Sequence, residues 1–326
     1  MVWFSSDHEY TSFNEKYGVF CTQYCKDVVK KEFSHILLFI LILVLSFSMA
    51  NAAERLCIVE YPDTFVVDTT FPSLKTDVVK ITRSWDLPAI LKNISAIDYY
   101  SQRKLACLQE EVGSIFIFNL DSGSIEREIP FGPPGDYQGL VLINNDAYVA
   151  CADGRILEII GYSSEKPEVK EYGTHLTVKE NVNGLCYDRK NKRLLVTIKG
   201  TEDANQVFKS IYAFSLTAKS MPVKPALRID LRNRVFIGMQ SKNMQTVFQP
   251  SDLDISPVTG LLYIIDGTRA QLLRMKLSEN IKSLIEFNKE TIIQPEGITF
   301  TPSGELFIAS KGIRDEPGML FQVRLK

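Results

Sequence analysis

The chain has 326 residues, is 45% hydrophobic and carries a formal net charge of −2 at pH 7, the composition of an ordinary globular protein. A near-neutral balance with no long Lys/Arg run leaves no electrostatic footprint for nucleic acid, which is set aside as a partner. His175 is the only histidine after residue 52, so His-rich zinc sites and Ser-His-Asp catalysis are disfavoured.

The first 52 residues differ from the rest. Lys30-Lys31 precede the uncharged stretch 36–50, and Ala50-Asn51-Ala52 then sets small residues around one position ahead of Glu54-Arg55. A basic flank, a short apolar core and an Ala-x-Ala site describe a secretory signal, with cleavage expected after Ala52. As a helix the apolar stretch would rise only about 22 Å, short of the roughly 30 Å hydrocarbon slab. Retention as a membrane anchor is the alternative. The expected organisation is a leader over 1–52 and one domain over 53–326, exported to the periplasm or the outer face of the cell membrane. Four cysteines follow the leader, Cys57, Cys107, Cys151 and Cys186, and their spacing leaves open whether any two are bridged.

From there the chain reads as short strands punctuated by turns, and it repeats. Ser95-Ala96-Ile97-Asp98, Gln138-Gly139-Leu140-Val141, Asn183-Gly184-Leu185-Cys186, Ser251-Asp252-Leu253-Asp254 and Glu296-Gly297-Ile298-Thr299 align, their first residues 43, 45, 68 and 45 positions apart. Each run is a polar residue, usually a small one, then an apolar strand. Turn residues come next, as in Asn144-Asn145 or Pro302-Ser303-Gly304, which suit tight hairpins. Second strands follow over 105–108, 147–151, 194–198, 261–265 and 306–309. Third strands follow over 114–120, 155–160, 210–216, 271–277 and 319–325 with the two-residue period of a half-buried sheet. Fourth strands read at 125–129, 226–231 and 283–287, and less clearly near Val169.

The last repeat lacks a fourth strand, and Val78 to Thr82 can supply it from the N-terminal side. A propeller closes its ring in this way. The predicted fold is therefore all-β: a five-bladed β-propeller closed by an N-terminal strand, with six blades as the alternative. Inner strands of such a ring line a channel, so Ser95, Gln138, Asn183, Ser251 and Glu296 are predicted to circle one mouth. These side chains could simply satisfy backbone groups at crowded strand ends. Alternatively they converge as a ligand or cation site, and carboxylate, amide and hydroxyl oxygens suit a hard cation such as Ca²⁺. Glu296, Asn183, Gln138 and Asp252 are the candidate metal ligands. Glu296 is the one carboxylate of the ring, so the site would be weak unless Asp136, Asp252 or Glu110 also reaches in. Residues 232–249, an apolar-rich insertion before the fourth repeat, form either a binding edge at that mouth or a loop packed on the blade tops.

These residues also carry a resemblance. Ile94-Ser95-Ala96-Ile97, Gln109-Glu110-Glu111-x-Gly113-x-Ile115, Gly135-Asp136-Tyr137-Gln138-Gly139, Asn183-Gly184-Leu185-Cys186-Tyr187-Asp188 and Gln294-Pro295-Glu296-Gly297-Ile298 resemble, in order and spacing, the SdiA-regulated family over roughly residues 80–326. The resemblance implies a five-bladed propeller, exported or membrane-associated, distantly akin to NHL-repeat proteins and holding calcium at a shared site. Members of the family tend to carry Glu where Gln138 and Asn183 stand here. An amide keeps an oxygen ligand but removes its charge, so calcium should bind more weakly.

Two functions follow as expectations. One is a non-enzymatic binding propeller of the cell envelope, its partner a small ligand or an envelope protein. The other is a calcium-dependent hydrolase of the lactonase or esterase kind, in which Glu296, Asn183 and Asp252 would hold the ion.

Overall fold

In a computed structural model, residues 79–202, 206–239 and 242–326 are described. The leader, its expected cleavage site, the boundary at residue 52 and Cys57 lie outside them.

Twenty strands are arranged as five four-stranded antiparallel sheets. The first blade holds β2 (Ile94–Ser101), β3 (Lys104–Gln109), β4 (Ser114–Asn119) and β5 (Ser124–Pro130). The second holds β6 (Tyr137–Ile143), β7 (Asp146–Cys151), β8 (Ile156–Ile160) and β9 (Glu168–Tyr172). The third holds β10 (Val182–Asp188), β11 (Arg193–Ile198), β12 (Phe208–Ser215) and β13 (Leu227–Asp230). In the fourth are β14 (Pro250–Ile255), β15 (Leu262–Asp266), β16 (Gln271–Met275) and β17 (Ile281–Glu286). The fifth is built from β18 (Pro295–Phe300), β19 (Leu306–Ser310), β20 (Met319–Leu325) and, as its outermost strand, β1 (Val79–Asp86). Strand β1 pairs antiparallel with β20 from Val79↔Leu325 to Asp86↔Met319. The ring is closed by the N-terminal strand, and five blades are the count.

Side-chain chemistry grades outward along each blade. In the second, the inner strand β6 and its neighbour β7 are almost wholly buried, whereas β9, Glu-Val-Lys-Glu-Tyr, is exposed along nearly its whole length. An outermost strand facing water on both sides has no apolar face to announce it. Tight turns from an inner strand to its neighbour are made where the chain can take a left-handed residue, as at Asn144 (φ 56°) between β6 and β7, the backbone that a two-residue hairpin demands.

Five apolar clusters hold the blades to one another, one at each junction. Leu140 and Val149 meet Ala96 and Ile115 between blades one and two. Leu185 and Phe214 meet Val141 and Ala150 between two and three, and Leu253 and Ile264 meet Leu195 and Phe248 between three and four. Ile298 and Phe321 join Ile265 and Leu272. The fifth cluster sets Phe307 and Leu320 of the last blade against Ile97 and Phe116 of the first. Burial of apolar area at all five junctions is what makes the ring one cooperative body. Cys107, Cys151 and Cys186 are free thiols buried in three of these clusters, acting as small core residues.

The second residue is small in four of the five repeats because inner strands crowd together near the axis. A Cβ on Gly139 would lie 2.7 Å from Leu185 Cβ, and one on Gly297 would lie 3.0 Å from the Ile97 nitrogen. The insertion at 232–249 packs onto the blades. Phe236, Val247 and Phe248 are buried in the cluster between blades three and four, with the two phenyl rings 5.7 Å apart. Its buried Gln245 donates through Nε2 to the carbonyls of Gln206 and Phe208, each at 2.8 Å.

Candidate functional site

All five inner strands carry a break in register at their first turn of chain, between Ile94 and Ala96, Tyr137 and Gly139, Val182 and Leu185, Pro250 and Asp252, and Pro295 and Gly297. The residues left without a cross-strand partner include Ser95, Gln138, Asn183, Ser251 and Glu296. A bulge inserts an unpaired residue and re-aims its side chain. Repetition of the bulge in every blade explains why one polar residue recurs in phase along the sequence. All five are buried, between 0% and 7% exposed.

They do not form one closed ring of contacts. Asn183 Nδ2 donates to Gln138 Oε1 at 3.0 Å, and Gln138 Nε2 donates to Asp136 Oδ1 at 2.5 Å. Asp136 therefore reaches in, whereas Glu110 is held by Lys311 at 2.5 Å. Ser251 Oγ accepts from the Gly267 nitrogen at 2.7 Å, and a Cβ on Gly267 would lie 2.7 Å from that hydroxyl and 2.9 Å from Glu296 Oε1. Ser251 and Glu296 thus flank one glycine. Ser95 stays within its own blade, donating to the Leu108 carbonyl at 3.4 Å.

The hydrogen-bond chain decides how Asn183 is oriented. Asp136 accepts from the Gln138 amide nitrogen, so Gln138 presents its oxygen to Asn183, and Asn183 must answer with nitrogen. Its Oδ1 is left buried without a hydrogen-bond partner. Such an oxygen costs about 1–3 kcal/mol relative to a satisfied one.

Lys199, absent from the repeat pattern, is the unforeseen member of this mouth. It follows β11 in the third blade, yet its Nζ lies 3.4 Å from Glu296 Oε1 in the fifth. The turn carrying it is held from below by Lys209. That buried side chain donates through Nζ to the Lys199 and Gly200 carbonyls at 3.3 and 2.7 Å. Burial pushes the Lys209 ammonium down to about 8, against the pull of Glu202 and Asp266.

Asp252 is placed one layer deeper. Its two oxygens accept from the Leu185 nitrogen at 3.3 Å and the Ile298 nitrogen at 2.9 Å, bridging blades three and five. Among the described residues no group of three or more His, Cys, Asp or Glu side chains is disposed to hold a metal ion. Any cation at the mouth would rely on amide and hydroxyl oxygens beside the carboxylates of Glu296 and Asp136.

Further along the channel, at the end formed by the hairpins that join each inner strand to its neighbour, lies a cavity of about 670 Å³. Two aspartates on its wall come from the fourth position of the repeat. Asp98 accepts from the nitrogens of Tyr99 and Leu142 (2.7 and 2.6 Å) and from Thr299 Oγ1 (3.2 Å). Asp254 accepts from the nitrogens of Ile255 and Phe300 (2.7 and 2.9 Å). An inner strand is the edge of its blade, so its outward N–H groups need partners, and these carboxylates supply them across blade boundaries. Burial pushes Asp98 up to about 6 against its hydrogen bonds. Burial, then the charge of Asp98, pushes Asp254 up to about 7.

The sign of the resulting pH dependence is opposite to the usual acidic pair. Between the ordinary aspartate value of 3.8 and about 7, the folded chain keeps protons that the unfolded chain has released. Stability therefore falls as pH rises through that window. Asp254→Asn removes the titration and keeps one acceptor oxygen for the N–H groups of Ile255 and Phe300, so its loss of one hydrogen bond is the same at every pH. Relative to this variant, the unaltered protein should lose up to about 4 kcal/mol between pH 4 and pH 8 in urea unfolding. An equal pH profile for the two proteins would contradict the assignment.

The model of one family, described as SdiA-regulated, matches residues 74–323. No curated protein matches the chain. Among solved structures it is similar to the glutaminyl cyclase of Myxococcus xanthus, at 15% identity and a TM-score of 0.53, over 76% of this chain and 96% of that one. It is also similar to a PQQ-bound aldose sugar dehydrogenase from Streptomyces coelicolor, at 11% identity and a TM-score of 0.48, over 76% and 98% of the two chains. Virginiamycin B lyase from Staphylococcus aureus gives 17% identity and a TM-score of 0.40 over 72% and 68%. At these identities the likeness to the cyclase speaks to the fold alone.

Proposed function

The chain belongs to the SdiA-regulated family, and from that premise we propose that it is a non-enzymatic, envelope-associated binding propeller. In this reading it holds a small ligand, or Ca²⁺ weakly, at the mouth lined by Gln138, Asn183 and Glu296. The observation that carries the reading is the unpartnered Asn183 Oδ1, buried beside Gln138. A buried oxygen without a donor is what an arriving cation, or a ligand N–H or O–H, would satisfy. The export assignment rests on the apolar stretch 36–50 and Ala50-Asn51-Ala52. The N-terminus of protein recovered from its cells, read by Edman degradation, tests it: a start at Ala53 supports cleavage, Met1 a retained segment.

Lys199 sets the strength of calcium binding. Its ammonium already neutralises Glu296 at 3.4 Å, so an incoming ion has to displace it. Lys199→Gln is expected to tighten Ca²⁺ about tenfold, a change of about 1.4 kcal/mol, and Glu296→Gln to abolish the heat of binding in calorimetry. Unchanged binding in Glu296→Gln would remove the mouth site. Chelator-sensitive turnover across a panel of lactones and esters would replace the binding reading with that of a hydrolase.

A further inference from the structure

The acids at the hairpin end of the channel carry charge that no described cationic side chain pairs. Each acid caps two backbone N–H groups, one on each carboxylate oxygen, and each carboxylate keeps a further lone pair. The equivalent fourth positions in blades two and three are Val141 and Cys186, so the fold itself does not require an acid there. Asp98 and Asp254 bond only to backbone N–H groups and the Thr299 hydroxyl, and no Lys, Arg or His forms an ion pair with either among the described residues. Each retains acceptor capacity. Both line a cavity of about 670 Å³ whose other walls include Leu142, Leu185, Leu253 and Phe300. Apolar walls with a few convergent polar groups, at this volume, are the ordinary form of a small-molecule site.

We propose that this cavity is a second binding site, separate from the mouth at Glu296, for a small organic cation with an apolar body, its ammonium held between Asp98 and Asp254. A metal ion is poorly served here, because the walls offer hydrocarbon where a hydrated or oxygen-bound ion needs ligands. An amine with a hydrocarbon body satisfies both parts: the ammonium meets the carboxylates and the body covers the leucines. The remaining titratable and charged groups around the acids are accounted for. Asp188 is paired with Arg193 at 2.9 Å. Asp252 is tied to two backbone nitrogens, and Cys186 is a buried thiol raised by that burial and by the surrounding acids. Arg189 lies against the Tyr187 ring, 5.7 Å from its centroid, and with Lys190 lines the opening. The field of Arg189 favours the ionised form of Asp98. Because a bound ammonium favours the ionised acids, binding should release protons and strengthen from pH 5 to pH 8.

The test is calorimetry on the full chain with phenethylamine, and with phenethyl alcohol and phenylacetate as neutral and anionic counterparts of similar size. The amine is expected to bind at least about tenfold more tightly than either counterpart at pH 8, and to weaken at pH 5. Asp98→Asn and Asp254→Asn should each weaken it at least about tenfold while thermal melting stays cooperative, and Glu296→Gln should leave it unchanged. Equal binding of amine and alcohol by the unaltered protein would overturn the proposal without reference to any variant, as would amine binding indifferent to both asparagine variants. Loss of amine binding in Glu296→Gln would place the ligand at the mouth instead.

Discussion

A chain beginning at Leu87 is expected to lose the cooperative melting transition that a chain beginning at Val79 retains. The eight residues between them are β1, which covers the outer edge of β20 from Val79↔Leu325 to Asp86↔Met319. They also fasten the last blade to the first. Trp85 lies 6.2 Å from the Phe307 ring, and its indole nitrogen donates to the Leu120 carbonyl of blade one at 2.9 Å. Without β1 the β20 edge is open to pairing with other chains, and the junction built on Phe307, Leu320 and Phe116 is uncovered on one side. Because each blade is held only by its neighbours, opening one junction weakens the whole ring. Trp85→Ala is the milder form of the same experiment and should cost about 3 kcal/mol. Indistinguishable melting curves for the two truncated chains, followed by circular dichroism, would show that closure does not depend on β1.

Gly184→Ala is expected to be the most damaging single substitution at the channel. Gly184 has a φ of +90°, and a Cβ there would stand 2.6 Å from Asp252 Cα and 2.9 Å from Thr197 Oγ1. The first of these is backbone of the next blade and cannot swing aside. Strain at positive φ and overlap with a neighbouring strand act together, for a cost of at least about 3 kcal/mol. Gly123 is the control: its φ is +66° and nothing lies within 4 Å of an added Cβ, so Gly123→Ala carries the conformational part alone, about 1 kcal/mol. Urea unfolding of the two variants separates packing from conformation, and equal losses would mean that the inner strands are less crowded than they stand here. Since Asn183 precedes Gly184, Gly184→Ala should also disturb the Asn183–Gln138 contact and with it any binding at that mouth.

Much of this architecture can be read in the chain because its period has a structural cause. The polar residue that opens each repeat is the bulged residue of an inner strand, and the small residue after it sits where neighbouring inner strands nearly touch. Asp252 is the exception among those small residues, and its carboxylate accepts hydrogen bonds from the Leu185 and Ile298 nitrogens of the flanking blades. Other features left no such trace. Strand β9 is obscured because an outermost strand exposed on both faces needs no apolar alternation. Lys199 belongs to no motif, and only the ring geometry brings it from the third blade to Glu296 in the fifth. Asp98 and Asp254 did carry a signal, acids at the same place in two inner strands. Recognising it required knowing that an inner strand presents its backbone edge, rather than a face, to the axis.

Whether the mouth is a binding site comes down to the surroundings of Asn183 Oδ1, and a crystal structure of the protein grown in saturating calcium reads them directly. The expected result is an ion about 2.3–2.6 Å from Asn183 Oδ1 and a Glu296 oxygen, with the Lys199 ammonium turned away. Lys199 still seated on Glu296, with nothing beside Asn183 Oδ1, would contradict it.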